Sequence, residues 1–258
     1  MTGSVPFDRA VEYYDRTRAL PPDVHRRVID LLRSELDPRA GGGVLEIGVG
    51  TGRIALSLAE RGLELTGVDL SGPMLDRLVA NAGGRSPVRL ARADATRLPF
   101  PDDTFAAGLA SHVFHLIPDW QVALDELARV VRPGGVVLVS RPGHQGMWGD
   151  LHRVAMEAAE IEPPGAVVAE DIDAEAAARG MTVRTLAPLT FTWRRPPASV
   201  LAMMAAAQFG WTWALDAERL GLAVDAAWRW ASERWDDLDQ PVTSESTVVW
   251  RAHDVPSR

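Results

Sequence analysis

The chain has 258 residues, 47% of them hydrophobic and 24% charged, enough for one large α/β domain or a domain with an insertion. Its net charge of −8 argues against a nucleic-acid partner, because affinity for a phosphate backbone rests largely on Lys and Arg. The absence of cysteine excludes disulfides, thiolate nucleophiles, iron–sulfur clusters and cysteine-built zinc sites. Residues 1–10 show no apolar signal core and no stretch reaches the length of a membrane span, so a cytoplasmic setting without a membrane partner is expected.

In chain order, Tyr13-Tyr14-Asp15-Arg16-Thr17-Arg18 comes first, followed by a predicted helix from about Asp23 to Leu36. Val44, Leu45 and Ile47 then form a short strand that carries Glu46 and breaks into Gly48, Gly50 and Gly52. Glycines at such a turn let the backbone approach a ligand where a Cβ would collide, and they allow positive φ. A helix beginning near Arg53 adds free N–H groups and a positive dipole end at the same spot.

A second strand, Leu65 to Asp69, ends in an acid where nucleotide-binding α/β folds accept the ribose hydroxyls. Asp69 could instead cap the helix Ser71 to Ala80, but Ser71 is the better cap. The third strand, Leu90 to Ala95, contains Asp94, a carboxylate suited to an adenine amino group, and a turn follows at 99–103. The fourth strand, Phe105 to Ala110, opens into Ser111-His112-Val113-Phe114-His115. A helix ends at Leu127 to Val131, Arg132-Pro133-Gly134-Gly135 forms a tight turn, and Val136 to Ser140 is the fifth strand.

The motifs E-I-G-V-G-T-G, G-V-D-L-S, A-D-A-T-R-L-P-F, F-H-L-I-P-D-W and R-P-G-G, in this order, resemble the class I S-adenosylmethionine-dependent methyltransferases, in particular the small-molecule, type 11-like branch. The resemblance covers roughly residues 40–142. Dinucleotide dehydrogenases usually show G-x-G-x-x-G without an acid two residues before the first glycine, whereas this chain has G-x-G-x-G behind Glu46. The resemblance implies a Rossmann-like, doubly wound, seven-stranded, mostly parallel sheet with an antiparallel last strand. It implies S-adenosylmethionine as cofactor and S-adenosylhomocysteine as product. The implied cofactor contacts are Glu46 toward the α-amino group, Asp69 toward the ribose and Asp94 toward the adenine. Gly48, Gly50, Gly52, Leu70, Met74, Ala95 and Ser111 complete the cradle. Tyr14 and Arg18 match an element that folds over the cofactor's carboxylate, the alternative being a solvated first helix turn.

The segment from Asp173 to Val183 resembles the helix before that fold's sixth strand, expected over Met181 to Trp193, with the seventh over Thr247 to Ala252. Between them lies an insertion, 196–243, read as a helical substrate cap with two helices. Its second helix carries the stripe Leu220, Val224, Trp228, Ala231 and Trp235. Trp228 and Trp235 read as packing, and Trp211 and Trp213 as pocket-wall candidates. Residues 1–40 then form an N-terminal helical lid, 41–195 the core, and 244–258 the last strand and tail.

Methyl transfer from a sulfonium is an in-line displacement that depends mainly on positioning and exclusion of water. A hydroxyl or amine acceptor also loses a proton, and His serves as base near neutral pH. His112, nearest the end of strand four, is the preferred base; His115 is equally a structural candidate, and His144 is in reserve. No carboxylate cluster suggests a metal. No Pro-Pro pair is followed by an aromatic residue, so the D/N-P-P-Y/F/W signature of nucleic-acid amino-methylating enzymes is missing. The expected function is methylation at O or N of a small molecule by a monomer or homodimer. The alternatives are a protein or tRNA methyltransferase and a non-catalytic cofactor-binding protein.

Overall fold

A computed structural model describes residues 7–37, 41–141, 146–161 and 169–257. The described residues form two compact units. One draws on the chain up to 141, on 169–189 and on 249–257; the other on 146–161 and 190–248.

The first unit holds five parallel strands, β1 (Val44–Ile47), β2 (Leu65–Asp69), β3 (Arg89–Arg92), β4 (Phe105–Ser111) and β5 (Val131–Arg141), in the spatial order β3-β2-β1-β4-β5. Beyond β5, residues 249–254 of β8 (Val242–Asp254) run antiparallel, and β6 (Thr182–Thr185) pairs with β8 in turn. β1 is buried along its whole length and β4 at all but its last residue, as in parallel strands covered on both faces. Covering helices are α2 (Pro22–Leu36), α4 (Gly72–Asn81), α5 (Trp120–Val130) and α7 (Ala169–Ala178), besides the short α1 (Tyr14–Arg18) and α3 (Ala55–Ala59).

Helix α2 begins with Pro at its first position, where no amide hydrogen is needed, and buries Val24, Val28, Ile29, Leu32 and Leu36 on one stripe. The core joins Leu45 and Ile47 to Leu124, Leu127, Val137 and Val139. Polar ties complete it. Arg184 on β6 bridges Glu35 on α2 at 2.8 Å and Asp254 on β8 at 2.6 Å. Asp173 on α7 meets the fully buried His253 at 2.8 Å and also pairs with Arg251.

Several expectations need correction. Among the described residues the sheet has eight strands rather than seven, because the predicted sixth strand breaks into β6 and β7 (Leu189–Arg195). The break includes Pro188, which has no N–H to give a ladder. The Arg132-Pro133-Gly134-Gly135 turn is a bulge inside β5: Val131 opposes Phe105, and the next partners are Val136 and Ala107. Helix α3 starts at Ala55 and spans five residues, so it supplies little dipole to the glycine turn.

The second unit contains α6 (Gly146–Ala158), α8 (Pro197–Ala205), α9 (Ala217–Ser232) and β7 paired with β8. It therefore includes residues 146–161 in addition to the insertion. Its core brings Met147, Leu151 and Ala155 of α6 together with Val200, Leu201 and Met204 of α8 and Ala223, Ala227 and Ala231 of α9. The buried ridge of α9 is thus alanine at i, i+4, i+8, and of the predicted Leu220–Trp235 stripe it includes Ala231 alone. Trp228 is 40% exposed, while Val224 and Trp235 pack at the core's margin. Small residues let helix backbones approach closely, and α6 supplies the larger partners. Trp211 is buried, its Nε1–H donating to His152 Nδ1 at 3.0 Å, and Trp213 Nε1–H donates to the Ala207 carbonyl at 2.9 Å. Among the described residues no helix is long and apolar enough to cross a membrane.

Candidate active site

Parallel pairing brings the carboxyl ends of β1, β2 and β4 side by side: Ile47 is level with Val68 on one flank and Ala110 on the other. The strand order reverses at β1 and β4, where open α/β sheets hold their ligands. A pocket opens there, and its walls include Tyr14, Gly48, Gly50, Asp69, Leu70, Met74, Asp94, Ala95, Ser111 and His112, ten of the residues singled out in the sequence. Phe7, Val68, Ala93, Val113, Leu116 and Ile117 add apolar wall. Val68, Ala93, Leu116 and Ile117 lie within the quoted motifs but have no role there, since apolar residues near strand ends read as core.

The three glycines do different work. Gly48 has φ +62°, and a Cβ there would meet Val113 Cγ2 at 2.4 Å. Gly52, at φ +83°, lies off the pocket wall; a Cβ on it would strike Leu78 at 2.7 Å and Leu56 at 2.8 Å. Gly48 therefore shapes the pocket, and Gly52 seats the glycine turn on α4. Gly50 presents its amide to Asp69.

Asp69 is held from several sides. Its Oδ2 accepts from Gly50 N at 2.8 Å and its Oδ1 from Ser71 N at 2.9 Å. Burial pushes its pKa up, opposed by amides of Ser71, Gly50 and Leu70. Ser71 caps α4 by accepting from Met74 N, so Asp69 is left to hold the turn. Asp94 Oδ1 accepts from the amide and hydroxyl of Thr96, both at 2.9 Å, which fixes its carboxyl at the pocket wall.

Glu46 is 2% exposed, and its Oε2 has no hydrogen-bond partner. Burial pushes its pKa up to about 8, against the pull of Arg53 and of the Ala55 amide. Arg53 donates to the Arg18 carbonyl, and burial lowers the Arg18 pKa. Glu46 and Arg18 are not among the residues that line the pocket. Arg53, which the sequence marked only as a helix start, is the cation that acts on Glu46. Asp15, quoted in the sequence motif without a role, accepts from Thr51 Oγ1 and, at 3.1 Å, from Asn81, tying α1 to the glycine turn.

His112 lines the pocket with φ +55°, a left-handed backbone uncommon for a residue with a side chain. Its amide donates to Ser140 O at 3.0 Å, joining the end of β4 to β5. His115 belongs to the 3-10 turn Phe114–Leu116 and is not part of the wall. His144 lies outside the described residues, as do residues 1–6 and 38–40 of the expected N-terminal lid. Among the described residues no group of side chains is arranged to hold a metal ion.

A glycine turn at the strand-order reversal, with Asp69 ending β2 and Asp94 just beyond β3, belongs to a Rossmann-like sheet. Residues 45–139 match the family described as methyltransferase domain. Over 135 residues the chain is 42% identical to a demethylmenaquinone methyltransferase of Thermus thermophilus, a stretch that is 50% of this chain and 59% of that protein. The chain thus spans somewhat over half the length of that relative. The fold is shared with the YcgJ protein of Bacillus subtilis (TM-score 0.63, 20% identity, 91% of this chain and 100% of that one). It is shared as well with phosphoethanolamine N-methyltransferase 2 of Haemonchus contortus, solved with phosphomonomethylethanolamine and S-adenosylhomocysteine (TM-score 0.57, 18% identity, 97% of this chain and 58% of that one).

Proposed function

We propose that the protein is an S-adenosylmethionine-dependent methyltransferase acting at an O or N atom of a small molecule. The observation that carries this reading is the pocket itself, in which a held Asp69 and a fixed Asp94 face one cavity beside a glycine turn. The residues suit such a cofactor. Asp69 offers a carboxylate for two ribose hydroxyls, and Asp94 can accept from an adenine amino group between Leu70, Met74 and Ile117. The buried, unpartnered Glu46 Oε2 is suited to an ammonium group, which would draw its proton away. When bound, S-adenosylmethionine supplies a methyl group on a sulfonium. His112 takes the acceptor's proton, and the apolar wall of Val113, Leu116 and Ile117 keeps water out.

Acceptor choice we assign to the second unit, because its residues all lie beyond 139, where the family match ends. Isothermal calorimetry with S-adenosylhomocysteine and with NAD tests the cofactor: the first should bind and the second should not. NAD binding without a response to S-adenosylhomocysteine overturns the reading. Methyl transfer from labelled S-adenosylmethionine to an acceptor panel then separates an enzyme from a non-catalytic binder.

A further inference from the structure

Arg195 ends β7 on the same face as Phe191 and Trp193, since alternate residues of a strand share a face. Its guanidinium carbon lies 5.0 Å from the ring centroid of Trp148 on α6 and 5.2 Å from that of Trp193. The side chain is partly buried, and its hydrogen-bond partner is the Met203 sulfur at 3.8 Å, a weak acceptor. Among the described residues no carboxylate pairs with it, although most other arginines in this chain that are similarly placed have one. Arg129, Arg179 and Arg184 each hold two. Burial alone lowers its pKa.

A guanidinium carries five N–H donors in one plane, and contact with aromatic faces leaves that donor edge able to grip a planar anion through two parallel bonds. Removing it from water without a protein acceptor has a cost that a bound anion offsets. We propose that Arg195, with Trp148, Trp193 and Phe191, forms a binding site for the carboxylate of a small aromatic acid. The carboxylate takes the donor edge and the indoles flank its apolar body. The site lies entirely within the second unit.

Benzoate and its uncharged analogue benzyl alcohol are the probes, titrated against the full chain with tryptophan fluorescence as readout. Benzoate should quench saturably, and benzyl alcohol should bind about ten- to hundred-fold more weakly, the difference a bidentate charge-assisted pair makes. Arg195→Met keeps the apolar stem and should erase the preference for benzoate. Arg195→Lys should recover part of it, having the charge without the planar fork. Equal affinity for the two probes in the wild type, or an undiminished benzoate preference in Arg195→Met, overturns the proposal. The wild-type comparison decides even if a variant does not fold. S-adenosylhomocysteine affinity, measured alongside, should be the same in all variants, and its failure would bear on the cofactor reading alone.

Discussion

Asp69 and His112 are the residues on which the proposed chemistry rests, and each can be removed singly. Two charge-assisted bonds from ribose hydroxyls are worth about 1.5–3 kcal/mol each, so Asp69→Ala should weaken S-adenosylhomocysteine binding by at least about ten-fold. Calorimetry giving an unchanged dissociation constant would take Asp69 out of the site. His112→Ala should lower turnover by about 10²–10⁴-fold with cofactor affinity nearly constant. Its φ of +55° adds a second readout. Glycine relieves left-handed strain of about 1–3 kcal/mol, so His112→Gly should be more stable than His112→Ala while equally slow. Equal melting temperatures for the two would speak against that strain. Glu46 predicts a pH dependence. Its folded pKa of about 8 lies above the usual 4.5, so the folded state retains a proton that the unfolded chain has released. Stability from this group is fully present below about pH 4.5 and is lost as pH rises toward 8. Across that window wild type should lose up to about 1.4 kcal/mol per pH unit relative to Glu46→Gln, measured by urea unfolding. Parallel pH profiles for the two proteins would reject the shift.

Elements show where local pattern was enough and where it was not. The strand–glycine–strand–acid spacing from Val44 to Asp69 was legible because a parallel strand is a short apolar run and its ligand-facing end needs Gly or Asp. The break between β6 and β7 was marked by Pro188 yet masked by the hydrophobic and β-branched residues on either side. In α9 two apolar stripes compete, and the large residues suggest the wrong one. Ala223, Ala227 and Ala231 face α6 because that partner already supplies Met147 and Leu151. Ala227→Leu should therefore overpack the ridge at a cost of about 1–3 kcal/mol, whereas Trp228→Ala on the exposed side should change stability by less than about 0.5 kcal/mol. Thermal melts of the two variants showing the opposite order would restore the Trp-bearing stripe as the packed face.

On the scale of the whole molecule, the proposed function gives cofactor binding to the first unit and the choice of acceptor to the second. Trp211 is a probe for this: it is buried in the second unit and its indole N–H serves His152. Trp211→Ala should destabilise that unit by about 3–5 kcal/mol. Turnover on the true acceptor should fall, while S-adenosylhomocysteine affinity stays within about two-fold, because pairs without shared partners act nearly independently. A cofactor affinity that falls in parallel with activity would contradict the division of labour. The sequence by itself determined the sheet type, the glycine turn and the acids at the ends of β2 and β3, because strand period, φ demands and charge are local properties. Only the tertiary structure decided that Glu46 is buried with an unpartnered oxygen, that Gly52 serves packing, that His112 has a left-handed backbone and that residues 146–161 join the second unit. Those depend on which surfaces meet across long stretches of chain, and such meetings are set by mutual packing rather than by any one segment.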